Sequence, residues 1–143
     1  MTFAGINYLA ILIAAVVGWI AGAVWYGLLG KAWVEAQGRT MEEFKAQQAA
    51  MVGKFAGPIP FLIAFAANLV MAWVLAGMVG HMGSVTIRSA VISALFAWVG
   101  FVVTTMLVNN AFTGRRHMLT VIDAGYWLVV LVLMGVVIGW IGV

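Results

Sequence analysis

Ile6–Leu29 reads INYLAILIAAVVGWIAGAVWYGLL, a run with no charged side chain. A helix rises about 1.5 Å per residue, so the run is long enough to cross the ~30 Å hydrocarbon layer of a bilayer. In hydrocarbon the backbone polar groups must be satisfied within the segment, and a helix does that. No Lys or Arg precedes the run, it is longer than the apolar core of a secretory signal, and no small-residue cleavage pattern interrupts it before Lys31. It is expected to remain as a membrane helix.

Three more such runs follow: Pro58–Val79, Ile87–Asn109 and Val121–Ile141. The 143 residues are 66% hydrophobic and 8% charged, and four spans leave no room for a separate soluble domain. The expected fold class is all-α, a four-helix transmembrane bundle forming one integral membrane domain over residues 1–143. A pI near 9.7 would suggest nucleic acid as partner of a soluble chain. Here the bases sit beside membrane spans, so the lipid bilayer with its anionic headgroups is the expected neighbour and nucleic acid is not. The absence of cysteine excludes disulfides, thiolate metal sites and cysteine nucleophiles.

The distribution of charge sets an orientation. Lys31, Arg39, Lys45, Lys54, Arg115 and Arg116 fall between the first and second runs or between the third and fourth, and only Arg88 lies on the other side. The excess of Lys and Arg in short loops places both basic loops in the cytoplasm and both termini outside. Trp25, Tyr26 and Trp33 gather at the cytoplasmic end of the first run, where amphipathic rings favour the headgroup level.

Between the first two spans lies the only substantial polar segment. Thr40 and Glu43 have the spacing of a capping box. After them Met41, Phe44, Gln48, Met51 and Phe55 share one helical face, which predicts a short amphipathic helix over residues 41–55 on the cytoplasmic surface. Pro58 and Pro60 open the second span, where first-turn donors lack partners in any case.

Small residues recur every four positions in the spans: Ala14, Gly18 and Gly22; Ala72 and Ala76; Gly135 and Gly139. Such stripes let helix backbones approach closely, the main route to packing in lipid. They are read as packing inside the bundle, with some stripe expected to face another subunit. A homo-oligomer or a larger membrane complex is therefore the expected assembly.

Polar groups cluster by depth. Tyr26, Thr105, Asn109, Asn110, Asp123 and Tyr126 fall in the cytoplasmic third, and Asn68 falls near mid-membrane. If they converge, they form a polar vestibule facing the cytoplasm. A buried amide is costly unless paired, so Asn68 either bonds to another helix or lines a path. Asp123 is the only acid in a span. Thr120 and Asp123 have capping-box spacing, so capping of the fourth helix beside Arg115 and Arg116 is the favoured reading; a proton-relay role is the sharper one.

Met78, His81 and Met82 form a soft-ligand set of the kind that holds Cu(I), though Met is also an ordinary packing residue and no metal or cofactor is expected. No zinc-protease, nucleophile-elbow or phosphate-loop motif occurs.

Several blocks together resemble a known family: Asn7-Tyr8-Leu9-Ala10, Gly22-Ala23-Val24-Trp25-Tyr26, Gly30-Lys31-Ala32-Trp33, Thr40-Met41-Glu42-Glu43, Asp123-Ala124-Gly125-Tyr126 and Leu133-Met134-Gly135. They resemble a small bacterial inner-membrane family with four spans, catalogued only as a domain of unknown function. The family pattern has Asn at the position of Asp123 and His at that of Trp127. The resemblance implies the topology and a bacterial plasma membrane, and supplies no activity. The expected function is a non-catalytic membrane protein that self-associates or serves as an accessory subunit. The alternatives are an oligomeric small-solute or ion channel or transporter, and a membrane enzyme acting on a lipophilic substrate.

Overall fold

The computed structural model of the chain describes residues 2–3, 5–52 and 57–143. A two-residue antiparallel ladder, β1 (Thr2–Phe3) with β2 (Ile6–Asn7), leads into α1 (Tyr8–Ala36). Then come α2 (Met41–Val52), α3 (Ile59–His81), α4 (Ile87–Ala97), a π-helical turn (Trp98–Val103), α5 (Thr104–Phe112) and α6 (His117–Ile141). α4, the π turn and α5 form one continuous span, Ile87–Phe112. With α1, α3 and α6 it makes four helices long and apolar enough to cross a membrane. The chain is a multi-pass, all-α membrane protein.

The caps explain most boundaries. Asn7 begins α1 by accepting a hydrogen bond from the Ala10 amide. α1 runs seven residues beyond the expected end at Leu29. Hydropathy marks the edge of the apolar run, not of the helix: Lys31, Ala32, Glu35 and Ala36 are good helix formers, and Lys31 and Glu35 pair along one face. The helix stops where Gly38 takes a φ of +77°. The Thr40–Glu43 capping box is present in both directions, with the Thr40 amide donating to Glu43 Oε2 at 2.9 Å and the Glu43 amide to Thr40 Oγ1 at 3.2 Å. α2 follows over Met41–Val52, and residues 53–55 of the expected amphipathic helix, Phe55 among them, lie outside the described residues. At the start of α4, Thr86 and Ser89 form a second capping box.

α6 is the central element, packed along α1 on one side and α4 on another, while α3 lies against α1. The shared core is built from small side chains (Ala14, Ala72, Ala76, Ala90, Ala94) interleaved with Leu75, Val130, Met134 and Ile138. This is how lipid-embedded helices gain dispersion energy, since burial of apolar surface gives them little. Gly135 and Gly139 bring α6 onto the backbone of α4: a Cβ at Gly135 would stand 3.0 Å from the Ala90 carbonyl oxygen. A smaller cluster of Ala36, Leu119 and Ile122 closes the end of the bundle that carries the basic loops.

Candidate functional site

The polar groups of the bundle organise around Ile122–Ala124 on α6. Three indoles and a phenol converge there. Trp25 Nε1 donates to the Ile122 carbonyl at 3.2 Å, and Trp98 Nε1 donates to the Ala124 carbonyl at 2.7 Å. The Tyr26 hydroxyl and Trp33 Nε1 both donate to Asp123 Oδ1, at 2.7 and 2.9 Å. Tyr26 and Trp33 stand two helical turns apart on α1, which puts both on the face toward α6. A carbonyl oxygen inside a helix keeps a second lone pair, so the indoles add bonds without breaking the ladder. Small neighbours make room: a Cβ at Gly125 would lie 3.1 Å from Trp25 Cζ2. Sequence reading assigned Trp25 and Trp33 to the headgroup belt and missed their donor role. The Asp-Ala-Gly-Tyr block is the signal that marks the position they grip.

Asp123 therefore does not cap α6. The helix starts at His117, with Arg116 at its N-cap position, so Thr120 and Asp123 lie inside it. The aromatic rings stack around the carboxylate: Tyr26 lies 5.5 Å from Trp33 in an edge-on arrangement and 5.1 Å from Tyr126. Phe44 of α2 adds an edge contact to Trp33 at 5.8 Å, which ties the polar segment to the site.

Deeper in the bundle Tyr126 and Asn68 continue the polar column. A Cβ at Gly22 would stand 2.9 Å from the Tyr126 hydroxyl oxygen, and one at Gly18 would stand 2.5 Å from Asn68 Oδ1 and 2.8 Å from Met134 Cε. The first-span stripe thus makes room for two polar side chains from α6 and α3. Asn68 is fully buried; its Nδ2 donates to the Ala64 carbonyl of its own helix at 2.7 Å, which fixes the amide orientation. Its Oδ1 has no hydrogen-bond partner among the described residues. Gly18→Ala is accordingly expected to destabilise the bundle by about 1–2 kcal/mol, the usual cost of overpacking when side chains can move. Asn68→Ala removes the nearest atom that the new methyl meets and leaves the flexible Met134 end to give way, so the double variant should melt above Gly18→Ala alone in detergent. Additive shifts in that cycle would refute the contact.

Of the other expected vestibule residues, Asn110 is drawn to Thr120, whose hydroxyl accepts from its Nδ2 at 2.7 Å. Thr105 and Asn109 are exposed and stand outside the column. Tyr26, Asp123, Tyr126 and Asn68 form a packed polar seam; the seven residues do not converge into one vestibule. Gly18, Gly22, Ala72, Ala76, Gly135 and Gly139 all face the interior of this chain. In the Met78–His81–Met82 set, His81 Nδ1 donates to the Gly77 carbonyl at 2.8 Å, and Met82 Sδ accepts from Ser93 Oγ at 3.8 Å. No group of three or more His, Cys, Asp or Glu gathers among the described residues.

Four membrane-spanning helices clamped by an aromatic and carboxylate seam define a small multi-pass membrane bundle. The chain belongs to the family described as "Protein of unknown function (DUF1761)", whose model matches residues 9–139. No curated protein and no solved structure matches it.

Proposed function

We propose that this chain is a non-catalytic membrane subunit that acts by self-association, with the third span as its contact face. The unequal burial of the spans carries this reading: 44% of an apolar 18-residue stretch of α6 is buried within the chain, against 11% of the corresponding stretch of Ile87–Phe112. The small-residue positions Gly18, Gly22, Ala72, Ala76, Gly135 and Gly139 are occupied inside the chain. Gly100, on the exposed side of the third span, has open space around it. One turn on, Thr104 folds its hydroxyl back onto the Gly100 carbonyl at 2.8 Å, which leaves a shallow surface that another helix can approach. The seam around Asp123 uses its donors to hold helices together, and no His or Lys is hydrogen-bonded to that carboxylate among the described residues. This favours a structural over a catalytic role. On the loop-charge rule the basic face is cytoplasmic, and the resemblance to a bacterial family implies a bacterial plasma membrane.

The transport reading has one observation in its favour, the Asn68 oxygen at mid-span, which has no hydrogen-bond partner among the described residues. That oxygen is enclosed by α1, α3 and α6 of a single chain, so a path between protomers would not reach it.

The natural chain has no cysteine, so single cysteines report on proximity without background. Gly100→Cys is expected to give an oxidant-dependent covalent dimer in native membranes. Leu28→Cys, exposed on α1, is expected to stay monomeric. Equal cross-linking at both positions, or none at Gly100, would overturn the assignment of the face.

A further inference from the structure

We propose that the basic end of the bundle carries a phosphate-binding site, filled in the membrane by the headgroup of an anionic phospholipid. A cavity of about 340 Å³ opens there, lined by Ala36 at the end of α1, Gln37 and Arg39 after it, Thr113, Gly114, Arg115 and Arg116 before α6, and Leu119 in the first turn of α6. Three arginines thus line one space. None of them pairs with a carboxylate among the described residues, where the one ion pair is Lys31 with Glu35. Arg39 donates to the neutral Gln47 side chain, and Arg116 Nη1 donates to the Glu35 carbonyl at 3.1 Å, which ties the start of α6 to the last turn of α1. The Arg115 side chain makes no hydrogen bond among the described residues.

The start of α6 adds to the imbalance. A helix N-terminus presents unpaired amides and a partial positive charge, and it favours Ser, Thr, Asp or Asn as cap and acids in the first turn. Here the cap residue is Arg116, no side chain caps the helix, and the first turn holds no acid. A topology signal needs bases in the loop. It does not need three of them around one cavity, beside the end of a helix dipole that repels them. An anion in the cavity resolves both, and a phosphate offers the planar guanidinium forks the acceptors they bind best. A lipid is the favoured source because Phe112 and Met118, which flank this loop in sequence, are exposed large apolar side chains against which acyl chains can lie.

The test uses the full chain in detergent, with native mass spectrometry of bound phosphatidylglycerol against phosphatidylcholine. The paired variant Arg39→Gln/Arg115→Gln keeps the Arg116 tie intact. It is expected to weaken phosphatidylglycerol retention by roughly tenfold per guanidinium, the strength of a charge-assisted hydrogen bond. Lys31→Gln/Lys45→Gln removes the same charge outside the cavity and is expected to change retention by less than about threefold, as screened surface charges do. Equal losses in the two variants, or equal retention of the two lipids, would overturn the site. Displacement of the lipid by excess inorganic phosphate would keep the phosphate chemistry and overturn the lipid as its source.

Discussion

Gly139→Ala is expected to be among the most damaging single-methyl additions in the chain. A Cβ there would stand 2.5 Å from Ile87 Cα and 2.6 Å from both the Ile87 amide nitrogen and the Thr86 carbonyl oxygen. All three are backbone atoms, so no rotamer change relieves the overlap, and α4 must move away from α6 by about 1 Å. Overpacking of that kind costs about 3 kcal/mol or more. The displacement also pulls on the neighbouring contact at Gly135 with Ala90 and on the Thr86–Ser89 capping box at the start of α4. Gly77→Ala and Gly27→Ala supply the contrast. Both sit in helical segments with nothing within 4 Å of the added methyl, and Ala is the better helix former by up to about 1 kcal/mol. Thermal unfolding in a fixed detergent should therefore place Gly139→Ala far below wild type and the other two at or above it. A Gly139→Ala protein that melts with Gly77→Ala would mean that α4 and α6 are not in this contact.

That contrast also shows what a sequence can and cannot reveal about such a bundle. Run length and charge placement are enough for four spans, because the bilayer imposes both requirements on any chain that crosses it. Four-residue spacing marks Gly18, Gly22, Gly135 and Gly139 as packing positions, since only a small side chain permits close approach. Spacing does not say what each one faces. Gly139 meets a backbone, whereas Gly18 and Gly22 meet the polar atoms of Asn68 and Tyr126. These partners come from distant parts of the chain, and no local pattern encodes them.

The same limit explains the misreading of Asp123. Thr120 and Asp123 carry a true capping spacing, but a cap also requires the helix to begin there. α6 begins earlier, at His117, because Met118 and Leu119 continue its apolar periodicity and the glycine turn at 114, with a φ of +64°, ends α5 just before it. Trp25 and Trp33 look like headgroup-belt residues by position alone. Their indole donors are used inward because α6 offers the Ile122 carbonyl to Trp25, for whose ring Gly125 leaves room, and the Asp123 carboxylate to Trp33. The widened turn at Trp98–Val103 has no signature in composition. Its first residue is the one whose indole reaches the Ala124 carbonyl.

The donor geometry at Asp123 leads to the second large effect. Tyr26 and Trp33 both donate to the same atom, Oδ1. A seam built on one oxygen with two lone pairs needs an acceptor and does not need a charge. Asp123→Asn keeps that oxygen as an amide carbonyl and is expected to leave stability within about 0.5 kcal/mol of wild type, the usual range for a change that preserves its contacts. Asp123→Leu is similar in size but accepts nothing, and it strands a phenol and an indole in a half-buried site. Leaving two such donors unsatisfied costs about 2–4 kcal/mol together. The indole gives an independent readout, because a Trp33 released from α6 turns toward water and shifts the tryptophan emission to longer wavelength. Asp123→Leu should therefore melt early with a red-shifted emission, and Asp123→Asn should match wild type in both. If Asp123→Asn instead fell with Asp123→Leu, the seam would depend on the negative charge, and the proton-relay reading of Asp123 would regain the ground that a neutral acceptor role takes from it.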